Sequence, residues 1–418
     1  MKSFKQFAFL AVLLTLLAAC GGSDGGRTVG NTSGSTSGSS SSGSSGSGGT
    51  SGANTVSVVV DAGPSAAGGT ANEPFVSITI CSPSSPTTCQ TIDHILVDTG
   101  SYGLRIISSV VSSSLSLPAE TDANGNAYAE CAMFADGYSW GSLRLANLQI
   151  GGESATSLPV QLIGDPAYAG MVPGACSSTG TSENTVATFG ANGVIGIGPF
   201  AQDCGNSCVQ NANEGLYYTC TSSCQPAAIP LAQQLPNPIT RFATDNNGSS
   251  LTFPAVPAGG SVNLAGTLTF GIGTQSNNGL GNALVYTTDQ YGYISTQYKG
   301  QTYVDSFIDS GSNGYFFTDS SITQCSDGSG FYCPSSALSL TAVNSGQNGT
   351  NGTVSFTIGN ALNLFSDDPN STAYSEIGGV NGDSQSFDWG LPFFFGRTVF
   401  TAIDGYTAAG TAGPYLAY

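Results

Sequence analysis

Two short stretches carry the residues best suited to chemistry. Ile95-Leu96-Val97-Asp98-Thr99-Gly100-Ser101-Tyr102-Gly103-Leu104 and Phe307-Ile308-Asp309-Ser310-Gly311-Ser312-Asn313-Gly314-Tyr315 follow one pattern: two apolar residues, Asp, Thr or Ser, Gly, Ser. Their aspartates lie 211 positions apart. Two carboxylates about 3 Å apart cannot both ionise easily, so they share a proton and titrate as a pair. The ionised member can take a proton from a water while the protonated member polarises a carbonyl. Glycine at the third position lets backbone amides approach the carboxylates, and the Thr99 and Ser310 hydroxyls can bond across the pair. One Asp-Thr-Gly alone is a common turn; two copies with matching flanks are a different matter.

Composition narrows the alternatives. The chain has 418 residues, 26 Asp+Glu against 8 Lys+Arg, and a formal net charge of −18. So acidic a balance argues against nucleic-acid binding, which needs a basic footprint. With His94 as the single histidine, histidine-rich metal sites are excluded, and carboxylates are the expected chemists. His94 shares strand parity with Asp98, yet a structural strand histidine is the plainer reading. No metal or cofactor is expected.

The amino terminus reads as targeting sequence. Lys2 and Lys5 precede an apolar run from Phe7 to Ala19, too short to span a bilayer, which needs about 20 apolar residues. The ending Leu17-Ala18-Ala19-Cys20 looks like a bacterial lipobox, with Cys20 as the lipidated residue; an ordinary secretory signal is the alternative. Gly21 after the cysteine points to the outer membrane of an exported lipoprotein, on its periplasmic or surface face. Residues 21–54 form a Gly/Ser/Thr tract that buries nothing and reaches roughly 30 Å as a flexible linker. Eleven cysteines less Cys20 leave ten for disulfides in an oxidising compartment. Cys81 with Cys89, Cys325 with Cys333 and Cys131 with Cys176 are the expected pairs. Cys204, Cys208, Cys220 and Cys224 close locally or as a nested hairpin; zinc is the less favoured use of the four.

The elements that must position the aspartates are strands. Segments of β-branched or alternating character recur between Gly, Asn, Pro and Ser punctuation: Val56–Val60, Phe75–Ile80, Ile92–Val97, Leu143–Ile150, Val194–Ile197, Leu268–Ile272, Tyr303–Ile308, Val354–Ile358 and Arg397–Ile403. Ile229–Leu235 and Ser320–Gln324 are expected as short helices. A hairpin precedes each motif, one turning through Cys81–Cys89 and one at Lys299-Gly300. A glycine-ended apolar segment follows each, Gly193-Val194-Ile195-Gly196 and Phe387-Asp388-Trp389-Gly390. The repeat predicts an all-β chain of two related lobes, residues 55–255 and 256–418, with Asp98 and Asp309 at a pseudo-twofold axis. The tyrosines from Tyr286 to Tyr303 read as sheet residues and Phe393–Phe395 as core.

On these landmarks the chain resembles the pepsin-like aspartic protease family over most of residues 70–418, and with its amino terminus a little-characterised bacterial lipoprotein group of that fold. Asp98-Thr99-Gly100-Ser101 and Asp309-Ser310-Gly311-Ser312 match the family's two catalytic motifs, Met133–Gly152 its flap hairpin and following strand, and Trp389–Phe400 the second-lobe strand behind the site. The resemblance implies a bilobal fold of barrel-like lobes around a central cleft, and a monomeric, membrane-anchored endopeptidase acting on peptides or proteins. It gives Phe134, Asp136, Gly137 and Tyr138 to the flap. Two positions depart from the pattern: Arg105 stands where a tryptophan is usual, and Phe134 where a tyrosine is. Arg105 is then expected to stack on Phe134 or pair with Asp136, with Tyr138 covering the cleft. The competing function is a pepsin-fold lipoprotein that binds peptides or envelope partners without cutting.

Overall fold

The computed structural model describes residues 54–418. Cys20 and nearly all of the 21–54 tract lie outside the described residues. Within them the strand pattern holds, and the first strand among the described residues is Thr55–Val60. No helix among the described residues is long and apolar enough to cross a membrane.

Each lobe is organised around the same strand arrangement. In the first, Pro74–Ser82 and Ser85–Asp98 form a hairpin pinned by Cys81–Cys89. The Ser85–Asp98 strand then pairs in parallel with Gly193–Ile197, which brings Asp98 opposite Gly196. Gly193–Ile197 also pairs antiparallel with Tyr102–Ile107, which is parallel in turn to Glu153–Ile163. The second lobe repeats this in the same order. Ile294–Tyr298 and Gln301–Ile308 form the hairpin. Gln301–Ile308 pairs in parallel with Asp388–Trp389, antiparallel to Tyr315–Phe316, itself parallel to Gly378–Gly379. Both aspartates thus sit where a strand ends and the chain turns back across its neighbour.

A shared antiparallel sheet joins the halves. Its neighbours run Thr55–Val60, Leu264–Phe270, Gly248–Thr252, Thr398–Ala402, Tyr415–Ala417 and Val285–Thr287. The 255/256 division falls in the loop between two of its strands, Gly248–Thr252 and Leu264–Phe270. Buried aliphatics fill the first lobe, among them Ile78, Ile95, Val97, Ile106 and Val160. The second lobe is packed with rings: Phe387 stacks on Phe317 at 4.6 Å and on Trp389 at 4.3 Å between centroids. Aromatic pairs of this kind add to simple area burial. The Trp389 indole donates to Thr296 Oγ1, which bonds Asn344. Phe393–Phe395 are core as expected, and Tyr286, Tyr298 and Tyr303 are buried sheet residues.

Two expected helices are turns. Ile229–Leu235 makes a single turn on the Pro230 carbonyl, and Ile229 N–H is committed to Cys208. Ser320–Gln324 turns once on Asp319, whose side chain caps Ser321. The α-helices among the described residues are short and elsewhere: Gly174–Ser177, Val186–Phe189, Asn206–Gln210 and Ala361–Asp367. His94 sits at a register shift with φ of 48°, edge-on to Phe75 and beside Asp61, as a structural residue.

All ten cysteines of the body are in disulfides. Cys204–Cys208 and Cys220–Cys224 close locally, so the nested alternative is excluded along with zinc at these thiols. Cys131–Cys176 spans 45 residues and ties the flap hairpin to the helix Gly174–Ser177. On chain-entropy grounds, replacing both its cysteines with serine costs about 4 kcal/mol, about twice the cost for Cys204–Cys208 with its much shorter loop. Denaturant unfolding of the two double variants, compared with the native chain, checks that ratio.

Candidate active site

Asp98 and Asp309 end their strands facing one another, both at 0% exposure, each against the glycine of the other's turn. Each carboxyl is held in the same way by its own turn. Gly100 N–H donates to Asp98 Oδ1 at 2.7 Å, and Gly311 N–H to Asp309 Oδ1 at 2.8 Å. The Ser101 hydroxyl donates to Asp98 Oδ2, and Ser312 to Asp309 Oδ2 at 2.8 Å. Glycine is required by the close approach of the opposite lobe. A Cβ at Gly100 would lie 2.7 Å from Asp309 Oδ1, and one at Gly311 would lie 2.8 Å from Asp98 Oδ1.

Thr99 and Ser310 lock the two turns together. The Thr99 amide donates to Ser310 Oγ at 3.1 Å, and the Ser310 amide to Thr99 Oγ1 at 2.9 Å. Each hydroxyl passes its own proton to the other lobe, Thr99 to the Ile308 carbonyl and Ser310 to the Val97 carbonyl. Each hydroxyl thus accepts one amide and donates to one carbonyl, as buried polar groups require.

Burial raises both carboxyls above the ordinary aspartate range. Asp98 is raised by desolvation, which outweighs the donors from Ser101 and Gly100. Asp309 is raised much further, by burial, by Asp98 and by a third carboxyl, Asp388. Two carboxyls so placed titrate as one unit and share a proton.

Arg105 is not where it was expected. It is 3% exposed, and it neither stacks on Phe134 nor pairs with Asp136. Its Nε and Nη2 donate to the two oxygens of Glu130, and Nη2 also reaches Asp203 at 3.3 Å. Nη1 donates to the Tyr102 carbonyl at 2.6 Å, bracing the loop that follows Asp98. Burial and the Glu130 charge push Asp203 well above the carboxylate range, with the Tyr217 hydroxyl donating to it. Because two acids already face its guanidinium, Arg105 only slightly offsets the burial that raises Asp98.

The flap residues are likewise placed differently from expectation. Phe134 packs edge-to-face on Phe189. Tyr138 is buried with Trp140 and Tyr218 in a satellite core, so its ring is not a cover for the cleft. Asp136 is half-buried at the hairpin tip, and Gly137 lies against Thr181 and Glu183, in parallel pairing with Thr181–Ser182. Two residues near the dyad escaped sequence reasoning. Tyr102, whose phenol is raised by burial and then by Asp98, packs on Phe200. Asp388 lies within a segment noted only for its glycine; a charged residue at the place of Val194 in the first copy was the available signal.

The family described as "Protein of unknown function (DUF3443)" matches residues 50–418, and the chain belongs to it. No curated protein matches the chain. Among solved structures, an aspartic proteinase from Irpex lacteus is 14% identical, covers 87% of this chain and 96% of its own, and superposes with a TM-score of 0.49.

Removing the Arg105 charge should be costly for folding. Arg105→Leu leaves Glu130 buried without its cation and should cost about 3–5 kcal/mol at neutral pH. Adding Glu130→Leu should recover a large part of that loss, which urea unfolding of the single and double variants checks.

Proposed function

We propose that this chain is an aspartic endopeptidase, anchored to a bacterial outer membrane through lipid on Cys20. The observation that carries the reading is the buried, facing pair of Asp98 and Asp309, each carboxyl held by a glycine amide and a serine hydroxyl of its own turn. In this reading the ionised Asp98 takes a proton from a water as its oxygen attacks a peptide carbonyl. Asp309 gives its proton to the carbonyl oxygen; as the C–N bond breaks, Asp98 gives its proton to the amine nitrogen and Asp309 takes one back from a hydroxyl of the tetrahedral intermediate. Thr99 and Ser310 act on geometry, holding the two carboxyls at a fixed separation. At 0% exposure neither carboxyl touches solvent, so entry of a peptide requires the surrounding loops to part. The second reading is a peptide-binding lipoprotein that does not cut.

The pH profile follows from the sign of the shifts. Activity needs one proton on the pair, so it falls on the acid side when Asp98 is protonated and on the alkaline side when Asp309 loses its proton. Burial raises both, more so Asp309, and therefore carries the alkaline limb above the ordinary carboxylate range near pH 4. Cleavage of a peptide library from pH 3 to 7 should show a bell with its falling limb above the ordinary carboxylate range. Asp98→Asn and Asp309→Asn should each lose about a thousandfold in kcat. Binding of a statine-type peptide without cleavage would establish the second reading instead.

The anchor has its own test. Cys20→Ser should move the protein from the membrane fraction to the soluble fraction and leave its thermal unfolding unchanged, because the 21–54 tract separates that cysteine from the body. Retention of the variant in the membrane fraction would refute lipid at Cys20.

A further inference from the structure

Asp388 is a third buried acid at the dyad, and the mechanism above does not use it. It lies at 0% exposure in the parallel strand behind Asp309. Its neighbours in register are Phe307 on one side and Phe316 on the other, both apolar. The first lobe places Val194 at the same position, between Leu96 and Arg105. No donor completes a hydrogen bond to either oxygen of the Asp388 carboxyl. The hydroxyl that acts on it is Ser312, and the charges that face it belong to Asp309 from its own lobe and Asp98 from the other.

Proton counting at Ser312 decides what Asp388 must be. A serine hydroxyl has one proton, and that of Ser312 is spent on Asp309 Oδ2 at 2.8 Å. What remains on the Ser312 oxygen is acceptor capacity, so an ionised Asp388 would face it lone pair against lone pair. A protonated Asp388 supplies the missing donor. An uncompensated carboxylate in such a place is far costlier than a neutral carboxyl.

We propose that Asp388 is a permanently protonated positioning residue, whose O–H donates to Ser312 Oγ and so holds the Ser312 hydroxyl as a fixed donor to Asp309. The proposal rests on the endopeptidase reading for its catalytic consequence, and on the fold alone for the protonation. The chain Asp388 to Ser312 to Asp309 has one direction. If Asp388 ionised, the Ser312 proton would turn to it, and Asp309 would lose a donor and gain a negative neighbour. Asp98 has no such support, because valine occupies the equivalent place behind Ser101.

Two variants test this, each with a separate readout. Asp388→Asn is neutral at every pH and keeps an N–H donor; Asp388→Val installs the residue of the first lobe. An acid that is neutral when folded penalises the folded state once the unfolded chain ionises, above about pH 4. From about pH 5 upward, Asp388→Asn should gain on the native chain about tenfold in folding equilibrium constant per pH unit, until Asp388 ionises in the fold. Below about pH 3 the two should run in parallel. Parallel curves across the whole range would overturn the protonation. For cleavage, Asp388→Val should lower kcat about tenfold with KM within about twofold, and Asp388→Asn should recover most of that loss. Equal kcat in Val and Asn variants would overturn the positioning role. A native chain that cuts no peptide overturns the endopeptidase reading only, and the stability curves then still decide the state of Asp388.

Discussion

The structure depends on the cost of putting two aspartates in contact away from water. At a separation of about 3 Å and an effective dielectric near 20, two full charges repel by roughly 5 kcal/mol, which rivals the whole stability of a typical domain. The chain meets this in two ways. One proton is kept on the pair, and four donors, from Gly100, Ser101, Gly311 and Ser312, are aimed at the carboxyl oxygens. Those donors exist only while the two turns stay in register. That register is fixed by the reciprocal bonds of Thr99 and Ser310, which need a hydroxyl on each side because each oxygen both accepts an amide and donates to a carbonyl. The shared sheet from Thr55–Val60 to Val285–Thr287 is then the frame that holds the two lobes in place.

A second buried charge cluster shows how the first lobe manages the loop after Asp98. Arg105 brings a cation into the interior, and Glu130 and Asp203 come with it. One cation among two acids leaves an excess negative charge unless one acid is neutral, and burial with the Glu130 charge raises Asp203 accordingly. The outcome is a neutral cluster whose remaining donor, Nη1, grips the Tyr102 carbonyl. A guanidinium suits this task because its planar fork serves a carboxylate, a second acid and a carbonyl at once. Its effect on the dyad is mechanical more than electrostatic.

How much of this was legible in the sequence follows from what each inference needed. The dyad was legible because the repeat is local: nine residues around each aspartate carry the turn, the glycine and the hydroxyl. The strands were legible by alternation, and three disulfide pairs by spacing. Arg105 was misplaced because its partners are 25 and 98 residues away, and nothing near Phe134 or Asp136 signalled that Glu130 and Asp203 would reach it first. Tyr138 was misjudged for a related reason, since Tyr218, packed in the same cluster, comes from a distant strand, Tyr217–Cys220. The short-helix expectation at Ile229–Leu235 failed because the segment closes only one turn, on the Pro230 carbonyl. Local chemistry was readable, and competition between distant partners was not.

The last consequence concerns symmetry. Two lobes with the same strand order and the same motif would give two carboxyls with identical surroundings, and a proton shared equally between them. Acid–base chemistry with divided roles needs them to differ. The lobes differ at the strand behind each aspartate, where Val194 pairs with Arg105 in the first and Asp388 pairs with Phe316 in the second. The polar residue sits on one strand in one lobe and on the neighbouring strand in the other. Behind Asp98 lies an arginine whose charge eases ionisation slightly; behind Asp309 lies a buried carboxyl that carries no charge while it is protonated. The charge difference therefore acts in the first lobe alone, where Arg105 favours the charge on Asp98. A near-symmetric scaffold thereby gives its two carboxyls different surroundings, through an exchange of polar and apolar residues across one strand pairing.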